Sequence, residues 1–205
     1  MATHFFKFFL IIPFFALSNA KAQDSIIFLN GNTKKVAKVI KVENKEITFI
    51  PLNKKKERSI SINKVFSVNS GGKENVIYRQ DSVIEYFMTI EQMRMFIKGE
   101  QTAIEKYKSP LSFIVGFGFG ASGGLVIPTF ATLAFIPPAV GTFAVYLPTP
   151  DVKEAQVSEE LLKNPEFVNG YQSKVRTKRL KKYFYGSSAG FGSVLLFLLI
   201  NGSLK

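Results

Sequence analysis

The chain has 205 residues, 46% apolar, 14% aromatic and 20% charged, with 27 Lys and Arg against 15 Asp and Glu. That composition excludes a chain disordered throughout, and the absence of Cys excludes disulfides and Cys nucleophiles. The average conceals a strong segregation: Lys108 to Asp151 encloses 42 consecutive uncharged residues and Lys182 to Lys205 another 22.

Residues 1–22 run from a short start carrying Lys7 through the apolar stretch Phe8–Leu17 to Ala20-Lys21-Ala22. That order of charge, apolar run and small residues predicts a signal peptide cleaved before Gln23. The stretch is short for a membrane span and is broken by Pro13, which favours cleavage over an anchor. Cleavage removes His4, the one histidine, and with it every His general base and Cys/His zinc site. It also removes Lys7 and Lys21, leaving 25 basic residues against 15 acids. This positive balance suits anionic lipid head groups or another acidic surface. Nucleic acid is excluded as a partner because the signal takes the chain out of the cytoplasm.

Residues 23–88 form the next segment, where period-two and β-branched runs predict strands at Ser25–Leu29, Val36–Val42, Glu46–Ile50, Ser59–Ile62, Val65–Val68 and Asn75–Arg79. Asn30-Gly31-Asn32, Glu43-Asn44-Lys45, Asn53–Lys56 and Ser70-Gly71-Gly72 supply the turns. Short strands at this density predict a small antiparallel barrel or meander. Val36, Val39 and Val42 alternate only imperfectly with Lys38 and Lys41. Lys54-Lys55-Lys56-Glu57-Arg58 has no interleaved aromatic and reads as a solvated hairpin loop.

Thr89-Ile90-Glu91-Gln92 fits a capping box, so a helix is expected from Thr89 through Tyr107, stopping before Pro110, with Gly99 as a weak point. Residues 89–109 are thus an amphipathic linker between the β module and the membrane.

Residues 111–148 are too long for one straight span: 38 helical residues would extend ~57 Å, nearly twice the hydrocarbon thickness. A transmembrane hairpin broken near Pro128 or Pro137-Pro138 is expected, and 183–201 makes a further span with Tyr183 and Tyr185 as interfacial anchors. Gly116, Gly120 and Gly124 recur every fourth residue, as do Gly186 and Gly190. Such stripes give flat helix faces that allow close backbone approach, within the chain or between copies of it. Between the spans, residues 149–182 carry a basic flank, Lys174, Arg176, Lys178, Arg179, Lys181 and Lys182, expected beside a membrane surface. Its side is contested: the positive-inside rule puts it in the cytoplasm, whereas a cleaved signal followed by a two-crossing hairpin puts it outside.

Two catalytic motifs occur literally. Gly118-Phe-Gly120-Ala-Ser-Gly123 matches the dinucleotide fingerprint, but Pro128 would end the required helix early and the next acid is Asp151. Gly120-Ala-Ser122-Gly-Gly124 matches a nucleophile elbow and the Gly-x-Ser-Gly of rhomboid proteases, yet the mature chain offers no His to activate Ser122. Packing is the preferred role for both. The spans also lack the intramembrane charge that ion or proton coupling ordinarily uses.

Asp24 to Gly31, Lys38 to Val42, Ile47 to Phe49, Ile60 to Val68 and Glu74 to Tyr78, then Met93 to Gln101, then Gly170-Tyr171 with Lys174 to Arg179 and Gly186 to Gly192, together resemble a family of exported Bacteroidetes membrane proteins. In that family a small N-terminal β module precedes a Gly-rich transmembrane region. The resemblance implies export and membrane association and supplies no catalytic residue. The Asp-Ala pair usual after Gly-Glu-Gln is Thr102-Ala103 here, so no role for an acid carries over.

The expectation is therefore an α+β membrane protein of the cell envelope, its β module in the periplasm. It acts without catalysis or cofactor as a scaffold or binding component, partnered by lipid and by a second copy or an envelope protein. A self-assembling small-solute pore, a membrane-embedded hydrolase using Ser122 and a soluble basic binder are the alternatives, in that order.

Overall fold

The computed structural model describes residues 23–80, 88–126, 139, 152 and 157–202. The expected signal peptide, and nearly all of the expected hairpin beyond Val126, lie outside the described residues. The chain divides into two units, Met1–Phe28 with Thr33–Tyr78, and Leu29–Asn32 with Arg79–Lys205.

The first unit is a six-stranded antiparallel sheet: β1 (Ser25–Phe28), β2 (Thr33–Val42), β3 (Glu46–Pro51), β4 (Arg58–Ser61), β5 (Val65–Ser70) and β6 (Lys73–Val76). Its order is β4-β3-β2-β1-β5-β6. A closed barrel, one of the two expected forms, is not made. The sheet is open, with β4 and β6 at its edges. Each is four residues long, and Arg58, Lys73 and Glu74 place charge on those edges, which opposes further pairing. The Lys54–Arg58 loop joining β3 to β4 is exposed.

Strand β2 explains its own imperfect alternation. Its register with β3 shifts between Val36 and Lys38 and again between Val39 and Lys41. Each bulge inserts one extra residue, so the repeat becomes three: Val36, Val39 and Val42 share one side of the sheet, Val36 and Val39 in the core and Val42 exposed at the strand's end. Val36 there joins Ile26, Ile47, Phe49, Val65 and Val68, while Lys38 and Lys41 point the other way. Lys34 lays its ammonium 4.5 Å from the centre of the Phe49 ring.

Asp24 holds this irregularity in place. Its carboxylate accepts from the Val39 N–H (2.9 Å), at the second bulge, and from the Ser70 hydroxyl (3.0 Å) and Gly71 N–H (3.1 Å) of the β5–β6 turn. Chiefly the Val39 bond, then those from Gly71 and Ser70, with Lys38 nearby, holds its pKa below the ordinary value despite some desolvation. A depressed carboxylate pKa stabilises the fold fully above pH 3.8, and that contribution drains away as pH falls from there through the folded value. Asp24→Ala should cost on the order of 1 kcal/mol, little for three bonds because the carboxylate is partly exposed. The check is amide exchange, which should accelerate at Val39 and Gly71 in particular.

The second unit is helical. Helix α1 (Ile90–Lys106) starts at the expected capping box: the Gln92 N–H donates to Thr89 Oγ1 (3.2 Å) and the Thr89 N–H to Gln92 Oε1 (2.9 Å). The helix runs through Gly99 without interruption and ends before Tyr107. Pro110 then opens α2 (Pro110–Val126). A short α3 (Glu159–Leu162) precedes α4 (Pro165–Ile200), which has Pro165 in its first turn and the Asn164 side chain accepting from the Phe167 N–H at 2.9 Å. At 36 residues α4 extends ~54 Å. No break separates the basic flank from the apolar span expected at 183–201; they are successive halves of one helix. Both α1 and α2 pack along α4, and Ala103, Val152, Phe167, Tyr171 and Val175 form a buried cluster in the unit.

Candidate functional site

Two of the predicted glycine stripes face each other. A Cβ added at Gly116 would strike the Tyr183 backbone, one at Gly120 the Ser187 backbone, and one at Gly124 would press on Val194 and Phe191. Reciprocally, Gly186 lies against the Phe113 carbonyl and Gly190 against that of Phe117. The partner of each stripe is thus the other stripe of the same chain: α2 and α4 touch backbone to backbone at Gly116, Gly120, Gly186 and Gly190, and Gly124 meets side chains beyond them. Ser187, between them, is fully buried and turns its hydroxyl back to the Phe184 carbonyl (3.0 Å). A Cβ at Gly118 or Gly192 would meet nothing within 4 Å, so both positions lie off the seam.

The seam continues toward the N-terminus of α4, beyond the two predicted stripes. Gly170 lies against the Phe96 carbonyl and Gly99 against the Phe167 carbonyl and Tyr171 N. On α4, Gly170, Lys174, Lys178, Lys182, Gly186 and Gly190 recur every fourth residue. That periodicity is the signal that places part of the basic flank in the helix contact rather than on a free surface.

Lys178 makes this concrete. Its ammonium donates to the carbonyls of Ala103 (3.0 Å), Ile104 (2.9 Å) and Tyr107 (2.8 Å) at the end of α1, the first of which also accepts from the Tyr107 N–H (3.2 Å). A lysine at a helix C-terminus satisfies both the hydrogen-bonding deficit and the negative end of the dipole. Burial first, then repulsion from Lys182 and Lys174, lowers its pKa. Lys174 donates to the Asn30 carbonyl of the Leu29–Asn32 segment. The other four divide by exposure: Arg176 and Lys181 are exposed, whereas Arg179 and Lys182 are half-buried.

Beside Lys174 sits Glu100, 6% exposed, with no partner for its Oε2. Gly31, at φ +72°, is packed so closely over this side chain that an added Cβ would collide with it. A left-handed backbone and no room for a side chain both require glycine there. Desolvation raises the Glu100 carboxyl to about 6, against an opposing pull from Lys174.

The Ser122 hydroxyl is exposed and bonded to the Phe119 carbonyl of its own helix (3.0 Å). Among the described residues no group of three His, Cys, Asp or Glu side chains stands close enough to hold a metal ion. What the arrangement does is close two helices tightly on a third, leaving apolar side chains exposed on α2 and on the second half of α4. By length and composition, α4 is the one described helix able to cross a membrane, and α2 is a shorter apolar helix of the same kind. No family model matches the chain, and neither a curated protein nor a solved structure matches it significantly.

Proposed function

We propose that the chain is a non-enzymatic integral membrane protein of the bacterial cell envelope, a scaffold or binding component that carries its β-sheet unit in the periplasm. It would belong with the exported Bacteroidetes membrane proteins its sequence resembles. The observation that carries the proposal is the two-faced character of the α2–α4 pair. Inward, the pair is glycine and serine in backbone contact. Outward, Leu111, Ile114, Phe119 and Leu125 of α2 and Tyr185, Leu196, Phe197 and Ile200 of α4 are each at least 60% exposed. So many large exposed apolar side chains are uncommon in water and ordinary in lipid. The apolar half of α4, Tyr183–Ile200, would extend ~27 Å, close to the hydrocarbon thickness.

Its partners in this proposal are the bilayer, anionic head groups meeting Arg176 and Lys181, and an envelope protein or second copy bound away from the glycine seam, which the chain's own helices fill. The deciding experiment is alkaline carbonate extraction of membranes from expressing cells. The protein should remain in the pellet and be released by detergent. Release by carbonate would mean that the exposed apolar faces are covered by protein, and the soluble-binder alternative would replace this one.

A further inference from the structure

The two apolar helices have a definite relative direction. Contacts along the seam ascend together: Gly116 meets Tyr183, Gly120 meets Ser187, and Gly124 meets Phe191 and Val194. The reciprocal contacts, Gly186 with Phe113 and Gly190 with Phe117, ascend in the same sense. Helices α2 and α4 therefore run parallel. Below them, α1 ends at the level of Lys178, which binds its last carbonyls. The polar ends of both columns thus lie together.

We infer that α2 and the apolar half of α4 enter the bilayer from the same face, so that α1 and the Lys174–Lys182 flank lie on one side and Asn201 on the other. This rests on the membrane assignment proposed above. Two parallel spans entering from one face require the chain between Leu111 and Lys182 to cross an even number of times. Lys182, level with the residue before Gly116, stands about 10 Å beyond Lys108 along the pair, an offset that the interfacial zone and a lysine's reach absorb.

The consequence reaches the β-sheet unit through the sequence alone. Between Gln23 and Lys108 no uncharged run exceeds nine residues, so nothing there crosses the bilayer. The sheet unit and the basic flank must then share a compartment. With a cleaved signal that compartment is the periplasm, and Arg176 and Lys181 meet anionic head groups there, against the positive-inside bias. Tight pairing of parallel helices, fixed by backbone contact, is what would outweigh a charge bias that acts on loops.

The chain has no native Cys, so single cysteines at Lys55, Arg176 and Asn201 can each be labelled with a membrane-impermeant maleimide in spheroplasts, before and after the membrane is opened. The expected result is labelling of the first two in intact spheroplasts and of Asn201 only after opening. The reverse pattern, Asn201 alone accessible at first, upholds the parallel entry and overturns the periplasmic placement. Labelling of Lys55 and Arg176 from opposite sides, or of Arg176 and Asn201 from the same side, overturns the inference while leaving a carbonate-resistant protein a membrane protein. Carbonate release of the same variants would instead strike at the membrane assignment itself.

Discussion

Gly120→Leu and Gly190→Leu should each prevent α2 and α4 from closing, while Gly118→Leu, two residues away, should leave the protein intact. A side chain at Gly120 points directly into the Ser187 carbonyl and one at Gly190 into that of Phe117. Neither obstacle is a flexible side chain that could swing away. The helices must separate, and separation forfeits the dispersion contacts along the whole seam, which are what holds helices together where lipid supplies no hydrophobic drive. Each substitution should cost about 2–3 kcal/mol or more, and the pair together most of a typical domain's margin. At Gly118 nothing stands within 4 Å of the new side chain, and replacing a helical glycine there gains up to about 1 kcal/mol in propensity. Opposite signs at Gly118 and Gly120 are the test. They would be read as detergent-resistant yield and as the melting temperature of the purified protein. Equal behaviour at the two positions would show that the α2–α4 seam is not what holds the unit.

The sheet was legible in the sequence because its strands are short, β-branched and punctuated by Gly and Asn turns, so local signals suffice. The last strand, expected at Asn75–Arg79, lies earlier at Lys73–Val76, and closure of the sheet was left open because it depends on whether β4 and β6 meet, a contact no local pattern encodes. The irregular repeat of β2 was visible as Val36, Val39 and Val42, but its cause was not. The bulges rest on Asp24, fifteen residues from Val39 and forty-seven from Gly71 in sequence.

In the helices the glycine stripes were visible as spacing, whereas their pairing is a fact of tertiary structure. Gly99 illustrates the difference. By propensity it is a weak point in α1; in the fold the backbone of α4 lies directly against it. The basic flank shows the converse. Six cations in nine residues read as one surface, but a helix distributes them by angle, and Lys174 and Lys178 fall on the buried stripe and become internal ligands for carbonyl groups.

Glu100 gives the second large effect, and its sign is contrary to ordinary expectation for a charged residue beside a lysine. Glu100→Gln should stabilise the protein at pH 7.5 by about 2 kcal/mol and flatten its stability between pH 4.5 and 6. The carboxyl is buried against Gly31, its Oε2 has no hydrogen bond, and the nearby Lys174 donates a hydrogen bond to the Asn30 carbonyl. Desolvation therefore outweighs the attraction of Lys174, and the folded pKa rises from 4.5 to about 6. Below pH 4.5 both folded and unfolded chains hold the proton, and the residue carries no ionisation penalty. Between 4.5 and 6 the unfolded chain ionises first, so stability falls as pH rises; above 6 the full penalty is in place. An amide of the same shape is neutral throughout and escapes it. Melting temperature against pH, for the wild type and Glu100→Gln in the same detergent, provides the measurement. The two curves should meet below pH 4.5 and diverge by several degrees above 6. If Glu100→Gln instead lowers the melting temperature at pH 7.5, the carboxylate must be held by a stronger interaction with Lys174 than desolvation opposes. Glu100 and Lys174 would then act as a buried ion pair beneath Gly31.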